Sequence, residues 1–219
     1  QPVFGGPVYF IRNLLYHVPR GVAFKFSAKP AGLFVYHNTI IGEHIIRDPY
    51  TNVHYRNNLF LGRDTPDRGI AAWANATNAH SSDYNGFRPN RGVKAQYWWL
   101  APKSAGERIY EPKPEDWKSF ATLPEFRAAT GQETHGIEVD FDIFESMKPA
   151  DPSKRHAVYH AMDLNFRLKP GSKAVDAGVS IPTVSDGFSG RAPDLGALEA
   201  GQPEPHYGPR WLTWQPFYR

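Results

Sequence analysis

One short pattern recurs three times early in the chain: Tyr9-Phe-Ile-Arg-Asn-Leu-Leu15, Phe34-Val-Tyr-His-Asn-Thr-Ile40 and Val53-His-Tyr-Arg-Asn-Asn-Leu59. Each copy alternates apolar residues, then places Arg or His, then Asn. The aligned asparagines are Asn13, Asn38 and Asn57, separated by 25 residues (13 to 38) and 19 residues (38 to 57). A strand-plus-turn unit repeating at this interval must bury its apolar face against its own neighbours, because one copy has no core. Shorter strand candidates lie between the copies, at Val22 to Phe26, Glu43 to Arg47 and Gly69 to Trp73, and Ser81 to Phe87 reads as a degenerate fourth pass. No long helical periodicity interrupts residues 1–100. The pattern predicts an all-β chain of stacked parallel coils, a parallel β-helix.

Period-two alternation assigns the faces. If the asparagines point inward, so do Ile11, Tyr36 and Tyr55, and Tyr9, Phe34 and Val53, which are all apolar or aromatic. The stacked amides then form an internal ladder at a bend. Arg12, His37 and Arg56 fall together on the outer face.

Composition narrows the function classes. There is no Cys, which excludes disulfide scaffolds, Cys-ligated zinc and thiol nucleophiles. A formal charge of +3, with no Lys/Arg block, gives no nucleic-acid arm. No apolar run approaches the roughly 18 residues of a membrane span. Nucleotide-binding loops and the Gly-x-Ser-x-Gly elbow are missing, and His156 and His160 lack the glutamate of a zincin.

Beyond Leu100 the pattern changes. Residues 101–167 read as an excursion: a polar, Pro-rich stretch to Lys118, a short helix from Thr122 to Gly131, and a half-exposed strand from Ile137 to Ile143. Thr122 and Glu125 have capping-box spacing and Gly131 can close the helix. Residues 168–219 are rich in turn formers and are expected to pack back as a C-terminal cap.

Several segments resemble the C-terminal half of right-handed parallel β-helix proteins of the pectate-lyase-like superfamily. The residues that carry this are Tyr36-His-Asn-Thr-Ile-Ile41, Tyr55-Arg-Asn-Asn-Leu-Phe60, Phe166-Arg-Leu-Lys-Pro-Gly-Ser172, Ala174-Val-Asp-Ala-Gly178 and Asp194-Leu-Gly-Ala-Leu-Glu199. The resemblance implies a right-handed solenoid with an irregular C-terminal cap and one short helix. It also implies a secreted or cell-envelope protein acting on a polysaccharide, since the relatives include polysaccharide lyases and glycoside hydrolases. Such proteins have many coils, so the immediate start at Gln1 suggests that a missing N-terminal part, or a partner chain, covers the first coil.

The outer stripe is the sharpest candidate site. With coils about 4.8 Å apart, His37 would lie between Arg12 and Arg56, which lower its pKa and keep it neutral. Arginines that neutralise a uronate carboxylate, beside a neutral imidazole, are the equipment of β-elimination. Tyr55 and His44 form a second rank of catalytic candidates. Arg47, His54, Trp73, Trp98 and Trp99 are candidates for binding substrate, because aromatic faces stack on sugar rings. The alternatives are a hydrolase, which needs two carboxylates across the scissile bond, and a non-catalytic carbohydrate-binding or structural module. No cofactor is required, although the Glu138, Asp140, Asp142 face could ligate calcium. The expected partner is polysaccharide, with neither nucleic acid nor membrane.

Overall fold

The structure, a computed structural model, describes residues 6–17, 22–24, 31–46, 48–66, 68–151, 153–154, 156–160 and 163–203. Gln1, Arg47 and the end of the chain from residue 204 lie outside them. The described residues form fourteen strands: β1 (Val8–Ile11), β2 (Leu14–Leu15), β3 (Val22–Phe24), β4 (Leu33–Tyr36), β5 (Thr39–Ile41), β6 (His44–Ile46), β7 (Val53–Arg56), β8 (Leu59–Leu61), β9 (Ala71–Ala74), β10 (His80–Asp83), β11 (Gly86–Arg88), β12 (Tyr97–Leu100), β13 (Lys118–Phe120) and β14 (Ile137–Glu138). One helix, α1 (Leu123–Thr130), follows β13.

The expected single right-handed solenoid is corrected. The strands fall into three separate sheets, in the orders β1-β4-β7-β10, β14-β11-β8-β5-β2 and β13-β12-β9-β6-β3. The first two are parallel throughout, but the third ends on the antiparallel pair β12–β13. Among the described residues, no strand follows β14. The chain visits the three sheets in rotation as far as β12, and then the antiparallel β13 and α1 interrupt the order.

A two-residue bend links the first sheet to the second. Arg12, His37, Asn57 and Tyr84 occupy its first position, all with φ between 52° and 58°, the left-handed region that non-glycine residues seldom adopt. The second position is Asn13, Asn38, Asn58 and Asn85. Asn38, Asn58 and Asn85 each accept at Oδ1 from the backbone N–H and the side-chain amide of the asparagine before them, every bond being 2.9 Å. The ladder ends on a carboxylate. Asn85 donates its amide to Glu133 Oε1 at 2.8 Å and its N–H to Oε2 at 3.3 Å, and the Ser82 hydroxyl donates to the same group. Glu133 is fully buried, and burial pushes its pKa up to about 7.

The amide ladder was expected, but its third member is Asn58, not Asn57. In register, Tyr9 pairs with Phe34 and Phe34 with His54, while Ile11 pairs with Tyr36 and Tyr36 with Arg56. The facing of the first two passes is therefore corrected as well. Leu33, Val35, Val53 and Tyr55 are buried inside, and Phe34, Tyr36, His54 and Arg56 face outward, half-buried. The αL bend breaks the period-two parity on which the inward reading of Tyr9, Ile11, Phe34 and Tyr36 rested.

Two apolar cores result. The first fills the space between the sheets with Val35, Tyr55, Phe60, Trp73, Phe87 and Tyr97, and α1 closes it with Leu123 and Phe126. Phe126 stacks on Trp73 at 4.8 Å. The helix has its anticipated ends: Thr122 Oγ1 accepts from the Glu125 N–H, and Gly131 closes it at φ 69°. The second core lies on the outer face of the second sheet, where Ile41, Leu59 and Leu61 meet Val139, Phe144, Phe166, Leu168 and Leu195. Burial on both faces explains the consecutive apolar residues Ile40–Ile41 of β5 and Leu59–Leu61 of β8. The segment through Leu195 runs so close that a Cβ on Gly196 (φ 92°) would meet Thr39 Oγ1 at 2.5 Å.

The strand expected from Ile137 to Ile143 stops at Glu138. Asp140 accepts the Phe141 N–H at 2.8 Å and starts a 3-10 turn there, and its carboxylate is held by Arg88 at 2.6 Å.

Candidate functional site

The bends decide which polar residues are free. Arg12 and His37 do not form an outer stripe with Arg56. Arg12 donates to the carbonyls of Ala197 (3.0 Å) and Val184 (3.5 Å). His37 is fully buried, and Asn57, its true neighbour in register, donates its amide to His37 Nε2 at 2.9 Å. The same amide donates to the Val179 carbonyl at 2.7 Å, and Asn57 Oδ1 accepts the Val179 N–H at 2.8 Å. Burial first, and then Arg12, lower the His37 pKa to about 3. A ring that must accept from an amide at Nε2 is neutral and already committed. It staples the C-terminal segment to the second sheet and is closed to substrate.

Tyr55 and His44 are also inside. The Tyr55 hydroxyl lies 3.0 Å from His44 Nε2, and His44 stacks on Phe60 at 5.0 Å. Burial alone lowers the His44 pKa to about 3 and raises that of Tyr55 well above its ordinary value, with Tyr50 adding to the shift. Trp73 and Trp99 belong to the first core. Trp98 points the other way, 39% exposed on the third sheet, as two adjacent tryptophans on one strand require. Arg47 lies outside the described residues.

His54 and Arg56 remain, and around them the outer face of the first sheet carries two ordered columns. One column runs Tyr9, Phe34, His54, Ser81 and the other Ile11, Tyr36, Arg56, Asp83. Tyr9 and Phe34 stack at 5.0 Å with their planes 15° apart, and Phe34 and His54 stack at 5.4 Å and 15°. Tyr9 is 62% exposed. His54 Nδ1 lies 2.7 Å from Ser81 Oγ, which fixes the ring and leaves Nε2 for other work. Burial, followed by the Arg56 charge, lowers the His54 pKa. Burial raises that of Tyr36, against the opposing pull of Arg56. Below the columns, Asp83 holds His135 Nδ1 at 2.9 Å, and Tyr84 stacks on that imidazole at 4.3 Å.

Apart from the fourth-pass reading of residues 81–87, sequence reasoning assigned no role to Ser81, Tyr84 or His135, and it placed Tyr9, Phe34 and Tyr36 in the core. The signal was the asparagine pair itself. Aligning on Asn58 and extending to Asn85 puts His54 and Ser81 in one column and Arg56 and Asp83 in the other.

The carboxylates offer no catalytic pair across this face, since Asp83 is the one acid on the four strands of the first sheet. Glu43 is buried beside Arg63 (3.9 Å) and Asn90, and Asp64 pairs with Arg88 at 2.9 Å. Asp176, Asp194 and Glu199 accept backbone N–H groups of the C-terminal turns. Among the described residues no three His, Cys, Asp or Glu side chains are grouped to hold a metal ion, and no helix is long and apolar enough to cross a membrane. No protein-family model, curated protein or solved structure matches the chain.

Proposed function

We propose that the chain binds an extended acidic polysaccharide along the outer face of the first sheet and cleaves it by β-elimination at a uronate. The observation that carries this reading is the stacked column Tyr9–Phe34–His54 with Arg56 on the same face of the same strand as His54. Aromatic faces at successive passes suit successive sugar rings. Arg56 neutralises the uronate carboxylate and so acidifies the adjacent C–H. His54, kept neutral by burial and by Arg56, takes that proton at Nε2. The C–H electron pair forms the new C=C bond as the glycosidic C–O bond breaks. Tyr36, next to Arg56 in register and held protonated by burial, donates the proton that the leaving oxygen needs.

The pectate-lyase-like resemblance of Tyr36 to Phe60 supports the same chemistry, and with it a secreted or cell-envelope location. Hydrolysis is less well supported, because the face has one carboxylate and Asp83 already holds His135. Incubation with a panel of uronate polymers tests the proposal through the ultraviolet absorbance of unsaturated product. His54→Ala is expected to cut the rate by about 10²-fold or more. Retention of polymer with no unsaturated product from any of them would remove the lyase step and leave a binding module.

A further inference from the structure

A cleft of about 230 Å³ lies away from the outer face of the first sheet, where the start of β10, the end of β12, β13 and the last turn of α1 converge. His80, Trp99, Lys103, Asp116, Lys118 and Thr130 line it. The cleft is smaller than the 300 Å³ or so at which drug-sized ligands begin, so its occupant is small.

Its polar groups are unevenly committed. Thr130 Oγ1 donates to the Phe126 carbonyl at 2.7 Å, and Asp116 Oδ2 accepts the Lys113 N–H at 2.8 Å. Lys103 and Lys118 have no ion pair among the described residues. The His80 ring meets Trp99 edge-on at 5.0 Å, and its Nδ1 has no hydrogen-bond partner. With His80 neutral, the lining carries two ammonium groups against one carboxylate that its own turn already uses.

We infer that this cleft is a binding site for a small oxyanion, a carboxylate or a phosphate, held by Lys103 and Lys118 with His80 at its wall. An anion seated there favours the imidazolium of His80, which burial and the nearby His54 otherwise disfavour. Binding therefore tightens as pH falls. The charged and titratable groups that face His80 across the cleft are Lys103, Lys118 and Asp116, and His54 opposes the change.

The test follows the His80 ring resonances by NMR while the full chain is titrated separately with inorganic phosphate, sodium glucuronate and glucose. Saturation by phosphate or glucuronate, an upward move of the His80 midpoint, and no response to glucose are expected. Which of the two anions binds more tightly assigns the source. The double variant Lys103→Glu, Lys118→Glu should weaken binding at least about tenfold, equivalent to ~1.4 kcal/mol, whereas Lys94→Glu, exposed and outside the cleft lining, should leave it intact. No saturable response to either anion would overturn the inference, as would equal binding by the double variant with its fold verified by circular dichroism. The outcome is independent of polymer cleavage, which is read from unsaturated product.

Discussion

The first and second sheets stack the same passes in the same parallel register, yet their outer faces have opposite fates. Over the second sheet lie Val139, Phe144, Phe166 and Leu195, and with them Thr39, Asn57 and His37 are sealed under the C-terminal segment. The outer face of the first sheet keeps Tyr9, His54, Arg56 and Ser81 wholly or partly open to water. The same residue types become structural under a cover and chemical without one. Two histidines make the point. His37 is fixed by Asn57 and drops to about 3, while His54, half-buried, meets the Ser81 hydroxyl and stacks on Phe34.

The largest expected effect is at the closed end, which belongs to neither outer face. Phe126→Ala removes the ring that stacks on Trp73 and covers the first core, and should cost about 3–5 kcal/mol of unfolding free energy in urea. Next comes the pair Asn57 and Arg56, adjacent in sequence and on opposite sides of the comparison. Asn57→Ala strands the Val179 N–H and carbonyl and the His37 Nε2, and should cost about 3 kcal/mol. Arg56→Ala should stay within about 1 kcal/mol. Equal losses would mean that the covered and open faces do not differ as described.

Acidity sharpens the contrast further. His37 and His44 titrate at about 3 when folded against an ordinary 6.5. Between those values the unfolded chain binds more protons, so stability falls as pH falls. Glu133 does the reverse: at about 7 against an ordinary 4.5, the folded chain holds the extra proton and stability falls as pH rises. Across that window the histidines and Glu133 therefore pull the stability profile in opposite directions. Glu133→Gln removes the opposing group, so its urea midpoint should rise more steeply with pH than that of the wild type. A parallel profile would take Glu133 out of the account. The smallest effect belongs to the open face, where Tyr9→Ser should shift stability by less than about 0.5 kcal/mol.

The strand positions were legible in the sequence because turn asparagines and alternation mark each pass. The helix was legible because Thr122, Glu125 and Gly131 are local signals. The site was only half legible. Asn57 and Asn58 are adjacent, and choosing the first shifts the third pass by one residue, which sends Arg56 into the column of His37. A left-handed bend between strands also has no signature in Arg, His or Tyr, so parity could not be carried across it. Nothing local told of the cover either, since Arg12 meets the Ala197 carbonyl 185 residues away. The division into three sheets with an antiparallel end depends on β13 returning alongside β12, a long-range pairing of the same kind.

The central claim is that the uncovered face of the first sheet is where polysaccharide binds. Its most direct measure is the affinity for a soluble polyuronate, determined by isothermal titration for the wild type and for Tyr9→Ser combined with Arg56→Ala. The account predicts at least about a tenfold loss of affinity, ~1.4 kcal/mol, with the urea midpoint nearly unchanged. Undiminished affinity in the folded double variant would contradict it.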